Sequence, residues 1–211
     1  WEDKEVFVHF DGVYSGMYLW INGEKVGYTQ GSNNDAEFDI TEYVKPGKNT
    51  IAAEVYRWTD GSYIEDQDMF RLSGIHRDVY LVATPKPKIQ DFVITSDFTK
   101  DDLSEVTMHV KTTIKNYGKK FKDGMLKVSL LDDAGNEIAT KTTAIEKLKR
   151  DDSDEVSLAF EVKSPKLWSA EIPTLYSVVL ALENEDGEEI LAVSNKYGFR
   201  KIEIKDKRVF V

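Results

Sequence analysis

Short segments of alternating apolar and polar residues fill this chain, and they restrict its possible folds more than any other feature. In the segment SEVTMHVKTTI, for example, Val106, Met108, Val110 and Ile114 share one face at a period of two. The segments VFVHF, MYLWI and NTIAAEVYRW are rich in β-branched and aromatic residues, which favour pleated strands. No segment of about 11 or more residues repeats its apolar positions at the helical period of 3.6. The sequence therefore predicts an all-β protein.

Turn signals separate these segments. Asn22-Gly23 stands between MYLWI and EKVGY, and both central positions of a type I′ hairpin turn need the positive φ that Asn and Gly tolerate. Residues 45–49, KPGKN, combine a proline that fixes φ with a glycine that is free to take the left-handed region. Residues 132–136 and 185–188 are clusters of acidic residues with glycine. We expect a hairpin at Asn22-Gly23, a turn at 45–49 and hairpin loops at the other two positions.

The chain is predicted to hold two domains that meet near residue 85. The stretch TPKPKIQDF, which follows residue 83, contains two prolines that disfavour a helix and suit an extended linker. The strand series after it has about seven strands in roughly 115 residues, the size of an immunoglobulin-like sandwich. We therefore expect one all-β domain over residues 1–84 and a second over residues 85–205.

The charge balance and the lack of cysteine exclude several classes of function. Lys and Arg number 28 against 38 Asp and Glu, a net charge of −10, which disfavours a nucleic acid or an anionic membrane as partner. The chain has no Cys, so a disulfide, a thiolate zinc site and a cysteine nucleophile are excluded. No apolar run approaches the roughly 18 residues of a membrane-spanning helix. We expect no nucleic-acid partner and no membrane partner.

Residues 57–81, RWTDGSYIEDQDMFRLSGIHRDVYL, hold the densest cluster of candidate functional groups. Asp60, Glu65, Asp66 and Asp68 fall within nine positions. Their spacing does not fit an EF-hand calcium loop. One surface loop is also a poor scaffold for the two carboxylates of a glycosidase, which flank the sugar at about 5 to 9.5 Å from each other. Composition alone favours a structural role, in which the acids accept backbone N–H groups and pair with the arginines of the same stretch.

The three histidines do not indicate a catalytic triad. His9 and His109 lie within alternating segments, where an ordinary strand position is the simplest interpretation. His76 adjoins Arg77 and Asp78, but no Ser stands in a nucleophile-elbow context such as G-x-S-x-G.

Several motifs together resemble glycoside hydrolase family 2. Residues 57–81 resemble the signature at the end of that family's sugar-binding domain and are most similar to the large bacterial β-galactosidases. Upstream, FDGVYSGMYLWINGEKVGYTQGSNNDAEFDIT resembles the same domain; downstream, SPKLWSAEIPTLY and YGFRKIEI resemble the second domain. The resemblance covers nearly the whole chain, in order. It implies a partial jelly-roll β-sandwich in residues 1–84, an immunoglobulin-like β-sandwich in 85–205, and in 206–211 the start of a connection to a catalytic barrel.

The resemblance also implies that the chain is a fragment. It begins with WEDKEVFVHF and ends with RKIEIKDKRVFV, while the family's two catalytic glutamates belong to the barrel. We therefore expect no catalytic residue in this chain, and no cofactor bound by it alone. The implied parent is a retaining β-galactosidase that hydrolyses terminal β-D-galactosides as a homo-oligomer, with sodium and magnesium. Its own barrel and the β-galactoside are the implied partners of this region.

Asp60 is the one residue to which the resemblance assigns a direct contact with substrate. It is the aspartate of the R-W-x-D-G-S-Y motif, which in the β-galactosidases reaches into the mouth of the barrel and helps to hold the galactosyl unit, partly through a bound sodium ion. A hard cation prefers oxygen ligands, and a carboxylate also accepts hydrogen bonds from sugar hydroxyls. Asp60 is thus predicted to bind substrate and sodium together with the barrel. The other acids, with Arg71 and Arg77, are assigned to bracing the loop and to the barrel interface.

Three aromatic residues are predicted to pack rather than to bind sugar. Trp58 and Tyr63 are expected to be buried anchors of the loop, and Trp168 to pack in a core or between domains. Two alternatives for function stay open. One is a free-standing carbohydrate-binding or adhesive module, and the other is a different family 2 enzyme, such as a β-glucuronidase or a β-mannosidase.

Overall fold

The computed structural model describes residues 1–65, 68 and 70–211, and it divides into two compact units, Trp1–Pro85 and Lys86–Val211. Strands make up nearly all of its regular structure, and the helix α1 (Asp60–Ile64) has only five residues. The all-β fold class predicted from the alternating sequence is therefore confirmed. Within the described residues, no helix has the length and apolar character needed to cross a membrane.

Eight strands of the described residues belong to the first unit: β1 (Glu5–Phe10), β2 (Val13–Tyr14), β3 (Gly16–Ile21), β4 (Glu24–Gln30), β5 (Ala36–Asp39), β6 (Ile51–Tyr56), β7 (Gly74–Ile75) and β8 (Val79–Thr84). They form two antiparallel three-stranded sheets, of order β5-β1-β8 and β4-β3-β6, and a short ladder between β2 and β7. The two larger sheets enclose one apolar core.

The alternation of β3 divides its side chains between the core and the outside of the sheet. Met17, Leu19 and Ile21 are fully buried, and they pack in the same core as residues of β1. The side chains between them, Tyr18 and Trp20, lie on the opposite face because successive residues of a strand point to opposite sides. This sheet therefore has an apolar inner face and an aromatic outer face.

The hairpin that joins β3 to β4 follows the sequence prediction. Asn22 and Gly23 have φ values of 54° and 91°, as a type I′ turn requires. The register then shifts at a bulge: Trp20 pairs with Lys25, but Leu19 pairs with Gly27. As a result Tyr18 lies opposite Tyr28.

The core of the first unit is open along two edge strands. Ile51 on β6 and Val79 and Leu81 on β8 pair with core-facing residues of β3 and β1, yet 44–45% of each is exposed. Apolar side chains on the inner faces of a closed sandwich would be buried. The first unit is thus a partial sandwich.

Eleven strands of the described residues belong to the second unit: β9 (Pro87–Phe98), β10 (Glu105–Asn116), β11 (Lys120–Phe121), β12 (Met125–Leu131), β13 (Glu137–Ala144), β14 (Leu148–Lys149), β15 (Ser153–Lys163), β16 (Tyr176–Glu183), β17 (Glu189–Tyr197), β18 (Glu203–Lys205) and β19 (Arg208–Phe210). Seven of them form a β-sandwich of a three-stranded sheet, β15-β10-β9, and a four-stranded sheet, β13-β12-β16-β17. Met108, Val110 and Ile114 face Leu126 and Leu180 in its core.

The predicted linker is largely a strand, so that prediction is wrong in part. Only Pro85 and Lys86 separate β8 from β9, and Pro87 already pairs with Asn116 of β10. Proline is tolerated here because it is the first residue of a strand at the edge of its sheet, where no ladder N–H is needed.

Candidate functional site

Asp60 is presented at the surface by a single turn of helix. It is the first residue of α1, directly after Thr59, whose backbone is extended. Its side chain is exposed, and Oδ1 accepts a hydrogen bond from the N–H of Gly61 at 3.0 Å. A carboxylate so placed is available to hydroxyl donors or to a cation.

Three hydroxyl groups fix this turn to the sheet beneath it. Ser15 Oγ lies 2.6 Å from Thr59 Oγ1 and 2.5 Å from Ser62 Oγ. Ser62 Oγ also accepts a hydrogen bond from the N–H of Thr59 at 2.9 Å. Ser15 and Ser62 are each only 1% exposed, so their hydrogen bonds form away from water and their loss would leave buried polar atoms unsatisfied. This cluster, here called the hydroxyl cluster, sets the position of the two residues between Thr59 and Ser62, Asp60 and Gly61.

Glu65 and the two arginines brace the rest of the loop, as the sequence predicts. Glu65 Oε2 accepts hydrogen bonds from the hydroxyl and the N–H of Ser32, at 2.6 and 3.3 Å. Arg71 donates to the carbonyl oxygen of Ser62 and, at 3.4 Å, to the Tyr14 hydroxyl. Ser32 and Tyr14 belong to the sheet region of the first unit, so these contacts tie the loop to it.

Arg77 ties the end of the loop to two other turns. Its Nη1 donates to the carbonyl oxygens of Asp11 and Asn33, at 3.1 and 3.2 Å. Asp68 is exposed. Asp66, which was assigned the same bracing role, lies outside the described residues.

Trp58 and Tyr63 correct the sequence prediction. They were expected to be buried anchors, but they are 50% and 77% exposed. Their rings stack on each other with centroids 6.2 Å apart, and the Arg57 guanidinium lies 5.5 Å from the Trp58 ring. The small hydroxyls of Ser15 and Ser62 anchor the loop instead, which leaves both aromatic rings beside Asp60 on the outside.

Tyr28 is a neighbour of Asp60 that sequence reasoning missed. Partial burial, and then the negative charge of Asp60, raise the pKa of the Tyr28 phenol above its ordinary value. Its hydroxyl donates to Gln30 Oε1 at 2.7 Å. Gly16 makes this approach possible, because a Cβ there would lie 3.0 Å from the Tyr28 hydroxyl and 2.7 Å from Thr59 Cγ2.

The two strand histidines have carboxylate neighbours. His9 Nε2 lies 3.2 Å from Asp11 and 3.5 Å from Asp35, and its ring stacks on Tyr80. His109 Nε2 lies 3.2 Å from Asp97. Both are in strands, as predicted. Within residues 1–65, 68 and 70–211, no group of three or more His, Cys, Asp or Glu side chains is suited to hold a metal ion.

Trp168 packs within the second unit. A Cβ on Gly198 would come within 2.9 Å of three Trp168 atoms, so the glycine lets the indole lie directly on the backbone. The Arg200 guanidinium lies 4.9 Å from the indole ring. Trp168 also lines an open cavity of about 570 Å³, with Leu175 and Ile202 among the other lining residues.

The hydroxyl cluster yields a stability prediction. Ser62→Ala removes one buried hydroxyl and leaves Ser15 and the Thr59 N–H short of a partner, so the free energy of unfolding of the first unit should fall by about 1–2 kcal/mol. This free energy can be measured by unfolding the protein in urea and monitoring tryptophan fluorescence, since Trp1, Trp20 and Trp58 belong to the first unit. Ser73→Ala, at an exposed serine of the same unit, is the control. Equal effects of the two substitutions would contradict the role of the cluster.

Comparisons with known proteins give the chain a family. Residues 1–85 match the family model described as "Glycosyl hydrolases family 2, sugar binding domain". Residues 88–200 match a second model, described as "Glycosyl hydrolases family 2". The chain is 44% identical over 206 residues to the β-galactosidase of Priestia megaterium, and that match covers 98% of this chain and 20% of that protein. It is 41% identical over 214 residues to the β-galactosidase of Leuconostoc mesenteroides, and that match covers 97% of this chain and 20% of that protein. The chain thus spans about a fifth of the length of these curated relatives.

Solved structures agree on the fold. The β-glucuronidase of Bacteroides uniformis superposes with a TM-score of 0.89 over 100% of this chain and 26% of its own, at 24% identity. That identity shows the fold alone. With one family match across each compact unit, the chain belongs to glycoside hydrolase family 2 and comprises its sugar-binding domain region and the domain that follows.

Proposed function

We propose that this chain is the non-catalytic front region of a retaining β-galactosidase, and that it lends Asp60 to the subsite for the terminal galactosyl unit. The observation that supports the proposal is the exposed Asp60 carboxylate on a turn that the buried hydroxyls of Ser15 and Ser62 fix to the sheet. Both oxygens of an exposed carboxylate can be reached by sugar hydroxyls or by a cation.

The chemistry of Asp60 suits the recognition of a neutral sugar. An ionised carboxylate is only an acceptor, with two oxygens that can each take hydroxyl protons. Hydrogen bonds to a charged acceptor are stronger than those between neutral groups. Because the hydroxyl cluster fixes α1, little backbone freedom is lost when the sugar binds.

Asp60 can bind a sodium ion only together with other ligands. A carboxylate is a hard oxygen donor, which an alkali cation prefers, but one carboxylate is far from a full coordination shell. We propose that Asp60 supplies one oxygen and that residues of the catalytic barrel supply the rest. A sodium ion held there would neutralise the carboxylate in part and orient a sugar hydroxyl. No cluster of the described residues fits magnesium, so that ion is assigned no place on this chain.

Exposed apolar residues close to Asp60 along the chain support a protein partner for this region of the first unit. Trp58, Tyr63, Ile64, Phe70 and Leu72 are each at least 50% exposed. Large apolar side chains grouped at a surface mark an interaction site in soluble proteins. We propose that the catalytic barrel of the same polypeptide covers them, which would place Asp60 at the barrel's mouth.

β-Galactosidase is preferred to β-glucuronidase on the sequence relatives. The curated relatives at 38–44% identity over 94–98% of this chain are named β-galactosidases. The β-glucuronidase of Bacteroides uniformis, at 24% identity, supports only the shared fold.

The first functional prediction concerns the chain by itself. The purified 211-residue protein should not hydrolyse a chromogenic β-galactoside above background, because the proposal assigns both catalytic carboxylates to the barrel. The assay needs host β-galactosidase to be removed, for example by expression in a host that lacks it. Turnover that co-purifies with the chain would contradict the proposal.

The second functional prediction concerns Asp60 in the longer enzyme. Asp60→Ala should lower kcat/KM for a β-galactoside at least about tenfold, since a charged hydrogen bond contributes roughly 1.5–3 kcal/mol. The dependence of the rate on sodium concentration should weaken at the same time. Steady-state kinetics across a sodium series measures both effects.

Two further variants sharpen this experiment. Asp60→Asn keeps the shape and one acceptor oxygen but removes the charge, so it should lose the sodium response as fully as Asp60→Ala does. Asp186→Ala changes an acid in the exposed hairpin loop between β16 and β17 and should leave kinetics unchanged. Wild-type kinetics and sodium response in Asp60→Ala, or unfolding of that variant, would overturn the assignment.

A further inference from the structure

The outer face of the sheet β4-β3-β6 carries four aromatic side chains. Tyr18 lies at the centre, with the ring centroids of Tyr28, Tyr56 and Trp20 at 4.6, 5.9 and 6.0 Å from its own. Tyr28 and Tyr56 are 42% and 41% exposed. An outer sheet face is ordinarily polar, because only the inner face packs on the core. These four rings, the tyrosine platform, are therefore surface groups without a role in the core of the first unit.

Polar side chains hold the rings of the tyrosine platform in place. The Tyr56 hydroxyl donates to Glu54 Oε1 at 2.9 Å, and the Tyr28 hydroxyl donates to Gln30 Oε1 at 2.7 Å. Lys25 Nζ lies 4.0 Å from the centroid of the Tyr18 ring. The aromatic surface is thus ordered before any ligand arrives, and an ordered site loses less side-chain entropy on binding.

The platform reaches the candidate site at Asp60. Tyr28 contributes a ring to the platform and, through its hydroxyl, lies beside Thr59 over the small Gly16. Asp60 follows Thr59 directly and acts on the Tyr28 phenol through its charge. One surface of the first unit therefore joins the exposed rings to the exposed carboxylate.

The chemistry of this surface matches a neutral sugar. The C–H face of a pyranose ring is apolar and packs on an aromatic ring, while its hydroxyls need polar partners at the rim. Here the rim offers the Glu54 carboxylate and the Gln30 amide, both exposed. The Glu54 carboxylate would repel the like-charged carboxylate of a uronic acid, which favours a neutral sugar.

We propose that the tyrosine platform is a second carbohydrate-binding surface, which takes a neutral pyranose of an oligosaccharide on Tyr28 and Tyr56. Ring contacts provide most of this binding, while the Glu54 carboxylate accepts hydrogen bonds from sugar hydroxyls and the Gln30 side-chain NH2 donates to them. It goes beyond the galactosyl subsite of the proposed function and does not depend on the role of Asp60 there.

Aromatic-ring NMR on the 211-residue protein tests the platform without any substitution. With tyrosine rings labelled, titration with lactose should shift the signals of Tyr18, Tyr28 and Tyr56. Tyr80 is the internal control, because it is 43% exposed but lies on the other sheet, stacked on His9. Shifts confined to Tyr80 and other tyrosines, or none up to saturation of the solution with lactose, would overturn the proposal.

Substitutions then test the ring contacts. Combined Tyr28→Ala and Tyr56→Ala substitutions should weaken lactose binding by about tenfold, as the loss of two aromatic contacts implies, whereas Tyr80→Ala should not change it. Tyr28→Phe and Tyr56→Phe keep the rings and should retain most of the affinity, which preserves the test if the alanine variant does not fold. Undiminished binding in a folded alanine variant would contradict the ring contacts.

Two more comparisons separate this proposal from its rivals. Methyl β-D-galactoside should bind more tightly than its uronic acid, and equal or reversed affinities would contradict the charge argument. Asp60→Asn should change the affinity of the platform for lactose by less than about twofold. This expectation holds whether or not the same substitution changes the kinetics of the longer enzyme. Tyrosine shifts that follow protein concentration and ignore sugar would instead identify a protein contact and overturn the proposal.

Discussion

Hydrogen bonding among three hydroxyls, Ser15, Thr59 and Ser62, is the interaction on which the candidate site depends. Two of the three residues are almost fully buried, so the cluster joins the short helix α1 to the start of β3 with bonds that water does not contest. A helix of five residues has little stability of its own. The cluster gives this turn a fixed position, from which the Asp60 carboxylate extends into solvent.

The strand β3 connects this local arrangement to the rest of the first unit. Its inner residues fill the core, and its outer residues carry Tyr18 and Trp20. A single alternating segment thus supports the fold on one side and a sugar-binding surface, as we propose, on the other. The open edges at β6 and β8 differ from the tyrosine platform, because their exposed core-facing residues, Ile51, Val79 and Leu81, are aliphatic. They suit further polypeptide, as expected of a partial jelly-roll, rather than a sugar.

Local signals in the sequence predicted the strands and turns well, and they failed where tertiary contacts decide. Asn22-Gly23 specified its turn because the required backbone geometry is local. The bulge that sets Tyr18 opposite Tyr28 has no such signal, so the tyrosine platform was not foreseen. Size and apolarity suggested that Trp58 and Tyr63 would be buried, but small serines anchor the loop. The three-residue spacing of Thr59 and Ser62 is typical of a helix start and was the one clue to that anchor.

A structure of the longer enzyme with a bound, unhydrolysed β-galactoside tests the central claim most directly. The measurement is the distance from the Asp60 carboxylate oxygens to the galactosyl hydroxyls and to any cation that contacts them. Our account predicts an oxygen within hydrogen-bond or coordination distance, roughly 2.3–3.2 Å, on a turn still held by Ser15 and Ser62. An Asp60 carboxylate that lies outside the sugar site, or that pairs with an arginine of the barrel instead, would contradict it.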